Sequence, residues 1–356
     1  MKIERLTFIP RRLKRRFPWQ TASYSADVVE AFYVKIETDS GLTGIGAASV
    51  MPSSRSDPFE AGLEAVKSAT AALFLGKDPL FIEALMLALE RSVQGYGRHK
   101  VAVELALYDL AGKAHNMPLS TLLGGRTREI IPVLKMLGMG TPEWMAERGA
   151  HFASRGYRYL KVKLGAGLER DRERFSAVRK AVGSNVILTG DFNGAYDAAT
   201  AIRVIEALAP DGLAMAEQPV PAADLPGMAA VTQAVRPIVL ADQSVHSPKD
   251  AFEVARANAA KAVSIKLLKF GGIRGSLAVA EVCQSAGLTC HVGGTATSRL
   301  IEAAQAHFVS ATPAIVAPCE IGEFEELDGD LVRGLEVIDG NVRVPTGPGL
   351  GVELKI

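Results

Sequence analysis

With 356 residues the chain is longer than one ordinary compact domain; an α/β barrel alone uses about 250 residues, so a barrel plus a smaller unit is expected. Lys and Arg number 40 against 39 Asp and Glu, a balance that leaves no overall field to gather nucleic acid or an anionic membrane surface. Hydrophobic residues make up 48% and charged residues 22%, the mix of a globular protein, and no stretch is apolar and uncharged for long enough to span a bilayer.

Residues 2–8 alternate like a strand. The basic run RRLKRR at 11–16 reads as a solvated loop or a lid over a substrate. The segments 29–38 and 42–47 flank DSGLTG, whose Gly41 suits a tight turn, so they predict a hairpin. Helical spacing follows over 58–75, 79–92 and 99–115, the last with Val103, Leu107, Leu110, Ala111 and Ala114 on one face until Asn116 and Pro118 stop it. No apolar stretch follows the N-terminal charges as a secretory signal requires. The three cysteines, Cys283, Cys290 and Cys319, show no metal spacing. Both features suit a reducing cytoplasm.

From about residue 130 short apolar strands alternate with amphipathic helices. Strands are predicted at 131–137, 159–164, 186–191, 213–217, 237–242, 262–267, 288–292 and 315–320. Helices are predicted at 142–155, 169–182, 198–209, 225–235, 248–258, 274–286 and 298–310. Eight strands separated by helices predict a closed parallel (β/α) barrel. The expected division is an α+β domain over 1–125, the barrel over 126–330, and a C-terminal segment, 331–356, that returns to pack on the first domain.

The predicted strand ends carry the chemistry. Asp191, Glu217, Asp242 and Lys266 follow one another at steps of 26, 25 and 24 positions, one βα unit each. They therefore fall at one height on consecutive strands, at the rim where barrel enzymes keep their active sites. Any one acid alone suits a helix N-cap or a surface ion pair. Three converging carboxylates repel unless a hard divalent cation joins them, most simply Mg²⁺, with Mn²⁺ fitting the same oxygen donors. Lys161 and Lys163 are two apart on a strand and share a face. Facing inward, they leave Leu160, Val162 and Leu164 to the helix layer. Two ammonium groups so close are expected to lower each other's pKa, and a lysine near neutrality accepts a proton. Lys266 lies four strands away, on the opposite side of the rim, with Lys269 as the alternative in the same motif. Bases on two sides of a cation-bound carboxylate suit removal and return of the proton on the adjacent carbon, through an enediolate that the cation stabilises. His291 is read as structural, and the glycines of KFGGIRGS have the wrong spacing for a dinucleotide loop.

These motifs together resemble the muconate lactonizing enzyme subgroup of the enolase superfamily, whose sites are known to pair a lysine or histidine base with Mg²⁺. The resemblance starts at the hairpin and GLTGIGAAS, runs through ELALYDLAGK, and covers KVKLG, TGDFNG, AMAEQPV, VLADQSV and SIKLLKFGGI. It implies a modified TIM barrel under an N-terminal capping domain. It implies Asp191, Glu217 and Asp242 as metal ligands, Lys163 and Lys266 as the acid/base pair, and Lys161 beside the substrate carboxylate. Asn193, Gln218 and Gln243 would orient the ligands, although relatives commonly carry an acid where Gln243 stands. Trp19, Tyr24 and Met51, on loops near 14–25 and 49–57, are candidate substrate contacts. Dipeptide epimerases of the subgroup have two aspartates at the end of strand 8, where this chain has Glu320-Ile321-Gly322. A single Glu320 resembles the lactonizing enzymes and could meet a substrate ammonium.

The expected activity is an isomerase acting on a small-molecule carboxylate, foremost a racemase or epimerase of an amino-acid derivative or dipeptide. A cycloisomerase, a dehydratase or a succinylbenzoate-synthase-like lyase uses the same scaffold. A Schiff-base barrel enzyme and a non-catalytic binding protein are the readings from other classes. Family barrels often associate, so a homo-oligomer is expected.

Overall fold

The structure, a computed structural model, describes residues 1–21, 25–50, 58–316 and 318–355. The chain starts with an antiparallel meander: β1 (Ile3–Gln20), β2 (Ser25–Thr38) and β3 (Thr43–Val50). The hairpin closes where Gly41, at φ 80°, takes a left-handed turn conformation. Helices α1 (Phe59–Phe74), α2 (Ile82–Ser92) and α3 (Gly97–Ala114) follow, then the short α4 (Leu119–Leu122). Helix α3 lies directly on β3, because Gly44 and Gly46 have no side chain to hold off the backbone of Ala106 and Ala102.

The basic run is not a loop. It is part of β1, whose residues pair with β2 from Ile3 to Gln20 with bulges near Arg5 and Trp19. Alternation explains how a strand accommodates it. Leu13, Arg15 and Trp19 turn inward and are buried, whereas Arg12, Lys14 and Arg16 are exposed. On its other side β1 pairs, among the described strands, only with the two-residue β12 (Leu327–Asp328), through Lys14 and Arg15, so Pro10 and the exposed charges sit on what is largely an edge.

The second part is the barrel. Its strands are β5 (Leu134–Leu137), β6 (Tyr159–Lys163), β7 (Ile187–Asp191), β8 (Leu213–Glu217), β9 (Ile238–Ala241), β10 (Ala262–Ile265) and β11 (Thr289–Val292). They form one parallel sheet in sequence order. The helices are α5 (Pro142–Ser154), α6 (Leu168–Val182), α7 (Ala198–Leu208), α8 (Leu225–Ala234), α9 (Pro248–Arg256), α10 (Ile273–Ser285) and α11 (Arg299–Ala311). Several start where the sequence supplies a cap: Thr141, Asp197, Asp224 and Ser247 accept from the backbone N–H groups of Trp144, Thr200, Gly227 and Asp250. Leu160, Val162 and Leu164 are fully buried, and burial of side chains of this size contributes about 2 kcal/mol each.

Two strand expectations change in detail. The described part of 315–320 is no regular strand. It closes the barrel through isolated bridges, Cys290 to Ile315 and Val133 to Cys319, and Glu320 N–H donates to the Val292 carbonyl at 2.8 Å. Pro313 and Pro318 lack the N–H that a continuous ladder needs. The stretch 131–137 divides into β4 (Ile130–Pro132) and β5. Strand β4 pairs not with the barrel but with β15 (Asn341–Arg343) of the C-terminal segment. That segment also reaches the first domain, where Gly349 accepts from Leu119 N–H and Leu350 N–H donates to Asp109. No helix among the described residues is long and apolar enough to cross a membrane.

Candidate active site

Strand register sets the height of the charged groups. Lys163 is opposite Asp191 and Asp191 is opposite Glu217. Asp242 and Lys266 directly follow β9 and β10. All lie at the C-terminal ends of their strands, and Lys161 and Lys163 face the barrel interior. Lys163 Nζ donates to Asp191 Oδ2, and to Asn193 Oδ1 at 3.3 Å. Lys161 Nζ donates to Glu217 Oε2 at 2.9 Å and to Glu320 Oε1, and stands 3.6 Å from Asp191 Oδ2. Across the ring, Asp242 accepts from Lys266 at 2.7 Å and from Lys269 at 2.8 Å.

The electrostatics correct one expectation. Lys161 is not depressed by its neighbour. Burial pulls its pKa down, but Glu217, Glu320 and Asp191 together push it well above the ordinary lysine value. Lys266 is likewise raised, burial being outweighed by Asp242 and Glu217. The acids respond in kind. Burial would raise Asp191 and Asp242, but the lysines on each hold both carboxyls below the usual range. Glu217 is raised, first by burial and then by the Asp191 charge.

The residues expected to orient the ligands divide in two. Gln218, in a left-handed conformation at φ 40°, braces the ends of β8 and β9. Its Oε1 accepts from Asp242 N–H at 2.9 Å and Ser244 N–H at 3.1 Å, and its Nε2 donates to the Val220 carbonyl at 2.9 Å and Ser244 Oγ at 2.8 Å. Asn193 and Gln243 instead line a cavity of about 240 Å³, with Trp19, Asp242, Lys163, Lys266 and Lys269. Lys161 and Glu320 lie outside that lining, each only 1% exposed. Glu320 is already engaged by Lys161, by His291 Nε2 at 2.9 Å and by Gly294 N–H at 2.7 Å. Tyr24 and Met51 lie outside the described residues.

The donor chemistry fits a hard divalent cation. Asp191, Glu217 and Asp242 are buried carboxylates on neighbouring strands, and Glu217 Oε1 is buried with no hydrogen-bond partner among the described residues. Among the described residues, ligand-type atoms also gather in a different set, Glu217, His291 and Glu320, mutually within 4.8 Å. Its histidine is already engaged at both ring nitrogens, Nδ1 with the Pro318 carbonyl at 3.0 Å and Nε2 with Glu320 Oε1 at 2.9 Å, so coordination would have to break one of these contacts.

Some site residues had no strong sequence signal. Arg15, Arg98 and His246 line the same cavity. Period-two alternation marks Arg15 as inward once β1 is known to extend through it. Arg98, in the first turn of α3, and His246, after Asp242, arrive through tertiary packing alone.

A (β/α) barrel with acids and lysines gathered at its C-terminal strand ends, beneath an α+β domain, is the build of a barrel enzyme. The model of the "Enolase C-terminal domain-like" family matches residues 144–355, and that of the "Mandelate racemase / muconate lactonizing enzyme, N-terminal domain" family matches residues 3–124. The chain belongs to the enolase superfamily, in its muconate lactonizing enzyme subgroup, and is an isomerase. It is 32% identical to the chloromuconate cycloisomerase CbnB of Cupriavidus necator, over 99% of this chain and 97% of that one. It is 29% identical to the N-succinyl-L-Arg/Lys racemase of Bacillus cereus, over 100% of this chain and 96% of the relative. The crystal structure of a dipeptide epimerase from Enterococcus faecalis, complexed with Mg and the dipeptide L-Leu-L-Tyr, superposes with a TM-score of 0.94 at 28% identity, covering 99% of this chain and all of that one (100%).

Proposed function

We propose that the protein removes and returns the proton α to the carboxylate of an amino-acid derivative or dipeptide, as a Mg²⁺-dependent racemase or epimerase. Asp191, Glu217 and Asp242 would hold the cation, with Mn²⁺ as a substitute. When bound, it supplies positive charge beside the substrate carboxylate, which takes up negative charge as the α-proton leaves. The observation that carries the reading is the placement of two lysines on one cavity. Strands β7, β8 and β9 stand between the strands of Lys163 and Lys266, so in an eight-stave ring the two amines approach a substrate from opposite sides.

The roles follow from the surroundings. Lys161, with its strongly raised pKa, is a permanent ammonium and serves as fixed positive charge at the floor of the site. Lys266, also raised, is charged at neutral pH and gives a proton to one face. Lys163, held by Asp191 and Asn193, takes a proton from the other face in its neutral form. The reverse reaction exchanges the two roles. Trp19, whose ring centroid is 6.0 Å from Lys163 Nζ, shields this amine from water.

A cycloisomerase is the second reading. It is favoured by the engagement of Glu320 with Lys161, His291 and Gly294, which leaves it unavailable to a substrate ammonium. One experiment tests both: N-acyl amino acids, dipeptides and muconate-type diacids are incubated in D₂O and followed by mass and polarimetry. Racemisation predicts deuterium at the α-carbon with loss of optical rotation. Chelation with EDTA is expected to abolish this, and Mg²⁺ to restore it. Ring closure of a diacid, with no α-exchange in any amino-acid derivative, selects the cycloisomerase instead. Activity untouched by thorough chelation sinks the metal assignment.

A further inference from the structure

Lys163 sits where two loops meet, and a pair of residues outside the cavity lining ties those loops together. Lys163 ends β6, and its amine is held by Asp191 and Asn193 at the end of β7. Beyond Lys163 the chain turns through Gly165, Ala166 and Gly167 before α6 begins. Gly165 and Gly167 stand at φ 107° and 106°, a region that a residue with a Cβ rarely enters. The turn has three successive backbone N–H groups to satisfy, and side chains take all three.

Gly165 N–H donates to Asp171 Oδ2 at 2.8 Å and Ala166 N–H to Asp171 Oδ1 at 3.1 Å. Gly167 N–H donates to the Tyr196 oxygen at 2.7 Å, and that hydroxyl donates to Asp171 Oδ2 at 2.5 Å. Arg174 Nη1, 3.8 Å from Asp171 Oδ1, balances the buried charge. An ordinary N-cap precedes its helix and serves that helix's first turn. Asp171 lies inside α6 and reaches back to the residues before it. Tyr196 comes from the other loop, shortly after Asn193. Burial, and then the hydrogen bond to Asp171, raises its phenol above the ordinary value, so it keeps its proton and donates. Its loop is anchored on the end of β8, where Gly194 N–H donates to the Gln218 carbonyl at 2.7 Å and Tyr196 N–H to the Pro219 carbonyl at 3.2 Å. The loops after β6 and β7 are thus joined twice, once through the Lys163 amine and once through Asp171 and Tyr196.

We propose that Asp171 and Tyr196 are positioning residues, a clamp between the two loops that holds the Lys163 amine against Asn193 and so sets proton transfer on one face of the substrate. A reacting group displaced by about 1 Å loses about a hundredfold in rate. Lys266 is held by Asp242 instead, across the ring, so loosening the clamp acts on one amine and spares the other. The inference rests on the α-proton reading for what Lys163 does, and on the hydrogen bonds alone for how it is held.

The first readout needs no substrate. The full, Mg²⁺-loaded chain is labelled with a trace of acetic anhydride, and the extents at Lys163 and Lys266, which both line the cavity, are read from peptide masses. Tyr196→Phe removes the hydroxyl and keeps the ring that packs on Phe192, 6.0 Å between centroids. It is expected to raise labelling of Lys163 relative to Lys266 several-fold. Asp171→Asn, which trades one acceptor oxygen for a donor, is expected to act in the same direction. Asp197→Ala removes the exposed cap of α7 and controls for lost stability; the ratio is expected to stay where it is. A ratio that Tyr196→Phe leaves unchanged, or that Asp197→Ala shifts as far, overturns the proposal. The second readout is α-deuteration of N-acetyl-L-leucine and N-acetyl-D-leucine in D₂O. Tyr196→Phe is expected to slow exchange about tenfold to a hundredfold for the enantiomer that Lys163→Ala affects more, with the other enantiomer and KM close to unchanged. Equal losses for both enantiomers make the pair a support of the fold only and also overturn the proposal. A labelling shift in a protein that exchanges neither enantiomer keeps the clamp and counts against the α-proton reading.

Discussion

Lys161 shows how a buried charge can belong to an active site and to the fold at once. Its ammonium is shared by Glu217 and Glu320 and lies near Asp191, all almost fully buried. Breaking a buried ion pair from one side leaves the other charge without compensation, at a cost of about 3–5 kcal/mol. Lys161→Met, close in volume, is therefore expected to lower the unfolding free energy by about that amount in urea titrations at neutral pH. A loss below about 1 kcal/mol counts against the pairing. Lys163 and Lys266 differ because each also faces the cavity. Lys163→Ala and Lys266→Ala are expected to lower the racemisation rate by about 10²–10⁴, the usual worth of a general acid or base, and each to spare α-deuteration of one enantiomer more than the other. A Lys163→Ala protein that exchanges both enantiomers at the normal rate removes Lys163 from the mechanism.

At the scale of elements, the two parts of the chain are fastened by a carboxylate. Glu104 of α3 accepts from Ile273 N–H at 2.6 Å and Arg274 N–H at 3.2 Å, the first backbone donors of α10. A barrel helix thus takes its N-terminal cap from the other domain. Gly272 makes this approach possible, since a Cβ there would overlap the Glu104 carboxylate. Burial raises the Glu104 carboxyl to about 7 despite those two hydrogen bonds. The folded protein therefore holds this proton more tightly than the unfolded chain does. Its contribution to stability is complete below about pH 4.5 and is lost as pH rises through about 7. Set against Glu104→Gln, which does not titrate, the unmodified protein is expected to lose up to about 3 kcal/mol of relative unfolding free energy between those pH values. Chemical denaturation at a series of pH values reads this directly, and a constant difference between the two proteins refutes the protonation.

For the whole molecule, a cation that binds the folded chain and not the unfolded one raises Tm by mass action. Mg²⁺ at a hundredfold excess over its Kd adds about 2.7 kcal/mol. The Asp191–Glu217–Asp242 assignment predicts that Asp191→Asn and Asp242→Asn abolish the Mg²⁺-induced rise in Tm, and that His291→Asn preserves it. The reverse pattern moves the cation to the Glu217, His291 and Glu320 cluster.

The order of elements, the parallel barrel and the inward lysines were legible in the chain because periodicity and βα spacing are local and repeat with every unit. The steps separating Asp191, Glu217, Asp242 and Lys266 place four side chains at one height through strand geometry alone. The basic run was misread because charge density suggests exposure, whereas a strand's alternation exposes Arg12, Lys14 and Arg16 and turns Arg15 inward. The broken eighth stave, with Pro313 and Pro318, reads as a strand until hydrogen-bond partners are known. What folding alone decided is the balance of charge. The spacing of Lys161 and Lys163 predicts mutual repulsion, but the pKa of Lys161 depends on acids 30, 56 and 159 positions away. The same holds for Glu104 and α10, and for Arg15 beside Trp19. Electrostatic energy depends on distance and burial in space, and neither is encoded by separation along the chain.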